Sequence, residues 1–71
     1  MSELKEIGAK IRKLRNEKGY SQEELAFNAD MDRAYLSEIE SGQKNFSINI
    51  LFKLAKGLEI KAADLLEDIN L

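Results

Sequence analysis

The 71-residue chain contains no cysteine and no histidine, and that absence narrows how so short a polypeptide can hold a fold. A domain below about 70–80 residues buries a small core and usually needs a disulfide, a metal, self-association or very regular helix packing. Without Cys or His, disulfides and nearly every structural zinc site drop out, which leaves helix packing and oligomerisation. The same absences exclude thiol, Ser-His and metal-His chemistry. No nucleophile–base pair is legible elsewhere, so the sequence reads as a non-enzyme that uses no cofactor and no metal.

Composition fits one soluble globular domain over residues 1–71, with 44% hydrophobic and 34% charged residues. No apolar run approaches a membrane span and no signal-peptide core precedes the first charges, so the expected compartment is the cytoplasm. The net charge of −2 does not advertise a polyanionic partner, but its distribution is uneven. Residues 1–18 hold six Lys/Arg against three Glu, whereas residues 19–32 hold four acids and no base.

Proline is absent, and Gly8, Gly19, Gly42 and Gly57 serve as the main punctuation. Leu4, Ile7, Ile11 and Leu14 form a helical stripe that stops at Lys18-Gly19. Ser21-Gln22-Glu23-Glu24 has the form of a capping box opening a short second helix with Leu25, Ala26 and Ala29, broken near Asp30-Met31. Asp32 can cap a third helix through Ser41, closed by Gly42. Ser47 caps a fourth to about Leu58, and a fifth runs from about Ala62 to Asp68. Nothing reads as a strand, so the expected architecture is an all-α, compact five-helix bundle.

Residues 21–42 carry the most information. Two short helices meet at a tight turn, with Ala26 small enough for a close crossing and Leu25, Ala29, Met31, Leu36 and Ile39 as the buried side. This is helix-turn-helix spacing, whose second helix can enter a DNA major groove; the plainer alternative is two neighbouring helices of another bundle. On a wheel of residues 33–41, Ala34, Ser37, Glu38 and Ser41 point away from Leu36 and Ile39. Three of those four are small, which permits close approach, although Ala and Ser are also harmless surface residues. Arg33 in the first turn can pair with guanine, the Ala34 methyl can meet thymine, and Ser37 can bond a base or phosphate. Glu38 would repel phosphates unless it accepts from cytosine or is held by a partner.

Phosphate contacts are expected on both sides of this helix. Ser21 and Gln22 lie at the start of the second helix; Tyr35, Ser41, Lys44, Asn45 and Ser47 lie along and beyond the third. Tyr35 can instead bond the backbone or pack at the rim. Lys10, Arg12 and Lys13 read as a solvated face. Arg15 and Glu40 each fall beside the apolar stripe of their helix, and buried charges must be paired, so an Arg15–Glu40 ion pair joining the first and third helices is expected.

With these residues assembled, the chain resembles the phage-repressor-like helix-turn-helix family over about residues 4–66. Ser21-Gln22-Glu23-Glu24-Leu25-Ala26, Tyr35-Leu36-Ser37-Glu38-Ile39-Glu40-Ser41-Gly42 and Leu54-Ala55-Lys56-Gly57-Leu58 carry the resemblance. It implies a five-helix DNA-binding fold, Gln22 on a phosphate, base contacts from Arg33, Ala34 and Ser37, and the Arg15–Glu40 pair. Asp32-Arg33-Ala34-Tyr35-Leu36 and Asn45-Phe46-Ser47-Ile48 look like the controller proteins of restriction–modification systems, which are stand-alone dimers. Two positions depart from the family pattern: Asp30 stands where Gly is usual in the turn, and Gly57 where Ala is usual.

A module this small reads few base pairs, so specificity implies a homodimer on a palindromic operator. Phe46, Ile50, Leu66, Ile69 and Leu71, within a region of about residues 46–71, exceed what one small core absorbs and form the candidate interface, unless some cap the core bottom. Glu23 and Asp30 edge the second helix and can meet a basic surface of RNA polymerase, or simply be solvated. The rival from another class is a protein-interaction module, such as an antitoxin that mainly sequesters a partner protein.

Overall fold

The computed structural model describes residues 3–67, so Ile69 and Leu71 lie outside the described residues. Among the described residues the elements are α1 (Glu3–Glu17), α2 (Gln22–Asn28), α3 (Arg33–Glu40), α4 (Ile48–Leu58) and α5 (Ala62–Leu66), with no strand. Ser21 caps α2 as the sequence predicts. Its hydroxyl accepts from the Glu24 backbone N–H at 3.0 Å, and the Glu24 carboxylate accepts from the Ser21 N–H at 2.8 Å. The Ser47 hydroxyl likewise caps α4 by accepting from the Ile50 N–H.

Two sequence expectations about helix ends are corrected. Asp32 occupies the N-cap position of α3, but its side chain caps nothing. The fifth helix begins at Ala62 as expected, behind the N-cap Lys61, whose N–H donates to the Asp64 carboxylate, but it ends at Leu66; Asp68, the expected end, lies outside the described residues.

The first four helices end alike. Each is followed by a left-handed residue, with φ of 76° at Gly19, 56° at Asp30, 78° at Gly42 and 60° at Glu59. The next N–H then reaches back five residues, from Tyr20 to Arg15, Met31 to Ala26, Gln43 to Glu38 and Ile60 to Ala55. This bond satisfies a carbonyl that the helix end would otherwise leave open. Asp and Glu hold two of the four positions against the preference for Gly.

Ile11, Leu25, Leu36, Ile39, Leu54, Leu58 and Leu65 are completely buried and draw on every helix. Helix α1 packs on α3, α4 and α5, whereas α2 packs on α3 and α4. Gly8 and Gly57 are not punctuation: both lie inside helices and are buried. A Cβ on Gly8 would sit 2.6 Å from the Glu40 carbonyl oxygen and still closer to that of Ile39, so α1 meets the backbone of α3 directly. A Cβ on Gly57 would meet Ala29 and Leu25 at 3.1 Å, which gives this departure from the family pattern a packing role.

Because the obstruction at Gly8 is main chain, it cannot rotate away. Gly8→Ala, despite its better helix propensity, is expected to destabilise the fold by about 1–3 kcal/mol, the usual cost of overpacking. Urea denaturation followed by circular dichroism checks this, and a midpoint equal to that of the parent chain would contradict it.

Candidate nucleic-acid interface

Helices α2 and α3 are held together by Leu25, Ala26, Ala29, Leu36 and Ile39, all buried, while Met31 in the turn is partly buried against them. This packing leaves the opposite side of α3 outward. Arg33, Ala34, Glu38 and Ser41 are exposed there, and Ser37 is half-buried. Glu38 has a cationic neighbour, with Lys44 Nζ 4.0 Å from its carboxylate. Both members are solvated, so the pair contributes little stability, but it offsets the negative charge of that face.

Behind this surface lies one buried acid. The Glu40 side chain is fully covered, and Arg15, only 12% exposed, grips it through Nε at 2.7 Å and Nη2 at 3.1 Å. Arg15 also donates from Nη1 to the Tyr20 carbonyl, tying the pair to the end of α1. The same Glu40 Oε1 accepts from Gln22 Nε2 at 3.0 Å and from Arg12 Nε at 3.4 Å. Gln22 in turn accepts through Oε1 from Arg33 Nη1 at 3.4 Å. A line of polar contacts thus joins the interior carboxylate to the first residue of α3. It also sets which way the Gln22 amide faces, since one end must donate and the other accept.

Burial alone would raise the Glu40 pKa. Hydrogen bonds from Arg15 and Gln22, with the Arg15 charge, outweigh it and hold the carboxyl below its ordinary value.

The remaining expected phosphate contacts divide between two ends of α3. Ser21 and Gln22 lie near its start, while Lys44, Asn45 and Ser47 follow its end; all but the half-buried Gln22 are exposed. Tyr35 combines both of its alternatives: it packs against the core, and its hydroxyl donates at 3.5 Å to the Asn45 carbonyl. Ser41 donates to the Glu38 carbonyl at 3.0 Å. Glu23 and Asp30 are exposed on α2 and its turn.

Two residues expected on a solvated face make specific contacts. Arg12 is not merely solvated, since it reaches Glu40, and Lys10 Nζ donates to the Glu67 carbonyl. Phe46 and Ile50 are partly buried against the core, and Leu66 is 36% exposed. Among the described residues the large apolar side chains most open to solvent are Phe27 at 85%, Ile48 at 64% and Phe52 at 55%. The sequence signal for Phe27, which the sequence reading missed, is an apolar residue off the Leu25, Ala26 and Ala29 stripe of α2. Ile48 and Phe52, four apart on α4, were masked by the density of apolar residues in that helix.

A helix-turn-helix family matches residues 11–65, a stretch that contains α2, α3 and their turn. The chain belongs to this family. The helix-turn-helix chain is 44% identical to control protein C.MunI of Mycoplasma sp over 72 residues, covering 99% of this chain and 97% of that relative. Control protein C.BamHI of Bacillus amyloliquefaciens is 43% identical over 62 residues, covering 86% and 76% respectively. The crystal structure of the restriction–modification controller protein C.AhdI from Aeromonas hydrophila superposes with a TM-score of 0.86 at 44% identity, covering 87% of this chain and 94% of that one. This helix-turn-helix protein is a DNA-binding regulator of transcription.

The buried pair sets a test of stability. Arg15→Met strands a buried carboxylate and is expected to cost about 3–5 kcal/mol, whereas Arg15→Met with Glu40→Leu recovers much of that loss. A folded pKa below the unfolded one stabilises the native state above the ordinary value of 4.5. That contribution drains as pH falls from there through the folded pKa. The double variant should therefore lose less stability than the parent between neutral and acid pH, measured by urea melts across the range. Equal stabilities for parent, single and double variants would refute the role given to the pair.

Proposed function

We propose that this regulator is a restriction–modification controller protein that binds a palindromic operator as a homodimer. The observation carrying this reading is the outward face of α3, with Arg33, Ala34, Ser37 and Glu38 presented between two groups of polar donors, in a chain similar along nearly its whole length to C.MunI. Arg33 reads a guanine bidentately, and Ala34, Ser37 and Glu38 set the neighbouring positions. Ser21, Gln22, Tyr35, Ser41, Lys44, Asn45 and Ser47 fix register through phosphates.

The body measures 28 × 22 × 21 Å, so one copy spans about one half-site and two-fold pairing supplies the rest. The pairing surface includes Phe46, Ile50 and Leu66, extended by Ile48 and Phe52, whose exposure favours burial against a second copy. Glu23 and Asp30, with Phe27 exposed between them in sequence, form an acidic edge for a basic surface of RNA polymerase.

Selection of duplexes from a random library at near-physiological salt is the deciding experiment. A palindrome with half-sites about one helical turn apart is expected for the parent chain. Arg33→Ala should lose preference at one position per half-site, and Ile48→Glu should sediment as a monomer and recover no palindrome. Binding without any motif that vanishes as salt rises would overturn operator recognition and favour a partner-protein role. For the acidic edge, Glu23→Lys should keep operator affinity and lose activation in a reporter assay; unchanged activation would remove the polymerase contact.

A further inference from the structure

The cluster around Glu40 is unbalanced: one buried carboxylate faces two arginines. Arg15 meets it through two nitrogens, is almost covered and is further fixed by the Tyr20 carbonyl. Arg12 makes one contact at 3.4 Å, and its side chain remains 53% exposed. The carboxylate charge is satisfied by Arg15, which leaves the Arg12 charge in surplus. Its location is what matters. Arg12 and Gln22 approach the same Glu40 oxygen, so the guanidinium lies beside the Gln22 amide, and Gln22 contacts Arg33 at the start of α3. Arg12 also lines an open cleft of about 530 Å³ together with Ala9, Lys13, Asn16, Glu17 and Glu40. Lys13 adds a second cation and Asn16 an amide donor, against the single further acid Glu17.

We propose that Arg12 is a DNA phosphate contact, extending the backbone clamp from α2 onto α1. This rests on the reading of Gln22 and Arg33 as facing DNA. In the free protein Arg12 leans on Glu40; on DNA the guanidinium turns its free N–H groups to a phosphodiester oxygen while Arg15 continues to neutralise Glu40. Arg is suited to this exchange because it carries five donors and stays charged throughout. Lys13 and Asn16 flank the same phosphate from the next positions of the α1 face.

The test is the salt dependence of binding for the parent, Arg12→Met, Arg12→Lys and Lys44→Met, with thermal melts of each. Arg12→Met should weaken the selected duplex and a scrambled duplex by the same factor. Its slope of log affinity against log salt should be shallower by about one unit. Arg12→Lys should keep the parent slope, and all should melt within a few degrees of the parent. An unchanged slope for Arg12→Met, with Lys44→Met shallower, would overturn the Arg12 contact and leave DNA recognition standing. A fall in melting temperature matching Arg15→Met, or failure of Arg12→Met to fold, would make Arg12 a structural partner of Glu40 and also overturn it. If the parent itself shows no preference for the selected duplex, operator recognition fails, and the slope on scrambled DNA still decides for or against Arg12.

Discussion

The arrangement depends on a charge that the fold has taken out of water. Glu40 ends α3, its partners Arg12 and Arg15 lie on α1, and Gln22 begins α2, so one carboxylate binds three helices to each other. Desolvating such a group costs several kcal/mol unless its oxygens are fully used. Here both are: Oε2 takes Arg15 Nε, and Oε1 takes Arg15, Gln22 and Arg12. No buried side-chain polar atom is left without a partner among the described residues. An apolar substitute could fill the volume but would lack these directional contacts, in which the bidentate Arg15 guanidinium ties α1 to the end of α3.

The same contacts serve the surface. Gln22 is both a neighbour of the interior acid and the acceptor for Arg33, so the first residue of α3 is connected to the interior through two hydrogen bonds. On the proposed reading of α3, an Arg33 held in this way gives up less conformational freedom on binding a base than a freely rotating one. The stabilising contacts and the proposed recognition surface therefore share residues.

Much of this was legible because its causes are local. The capping box of Ser21 and Glu24, the cap at Ser47 and the left-handed glycines at 19 and 42 are decided within a few residues of chain. The Arg15–Glu40 pairing was legible for a different reason: a charge beside an apolar stripe has to find an opposite charge, and the candidates were few. What escaped depends on distant partners. Nothing within α1 says that Gly8 will meet the carbonyls of Ile39 and Glu40, and helix propensity argues against glycine there. Arg12 lies off the stripe, so only the placement of Glu40 reveals its second neighbour. In α4, apolar residues occupy so much of the circumference that the boundary between core and exposed apolar surface could not be drawn from periodicity. Asp32 had the right identity and position for a cap and still makes no capping bond, because identity permits the contact without enforcing it.

The meeting of Gly8 with the backbone of α3 bears on how such a protein can diversify. At that point the pose of α3 is set by main chain against main chain, with no side-chain rotamer intervening. The buried residues Leu36, Ile39 and Glu40 secure the same face. Arg33 and Ala34 project from the other side and take no part in that contact. Their replacement changes what the helix presents and leaves that backbone contact in place. On the proposed reading of α3, lineages descended from such a chain exchange target sequences by few substitutions on an inherited scaffold, while any side chain added at position 8 carries a cost in stability.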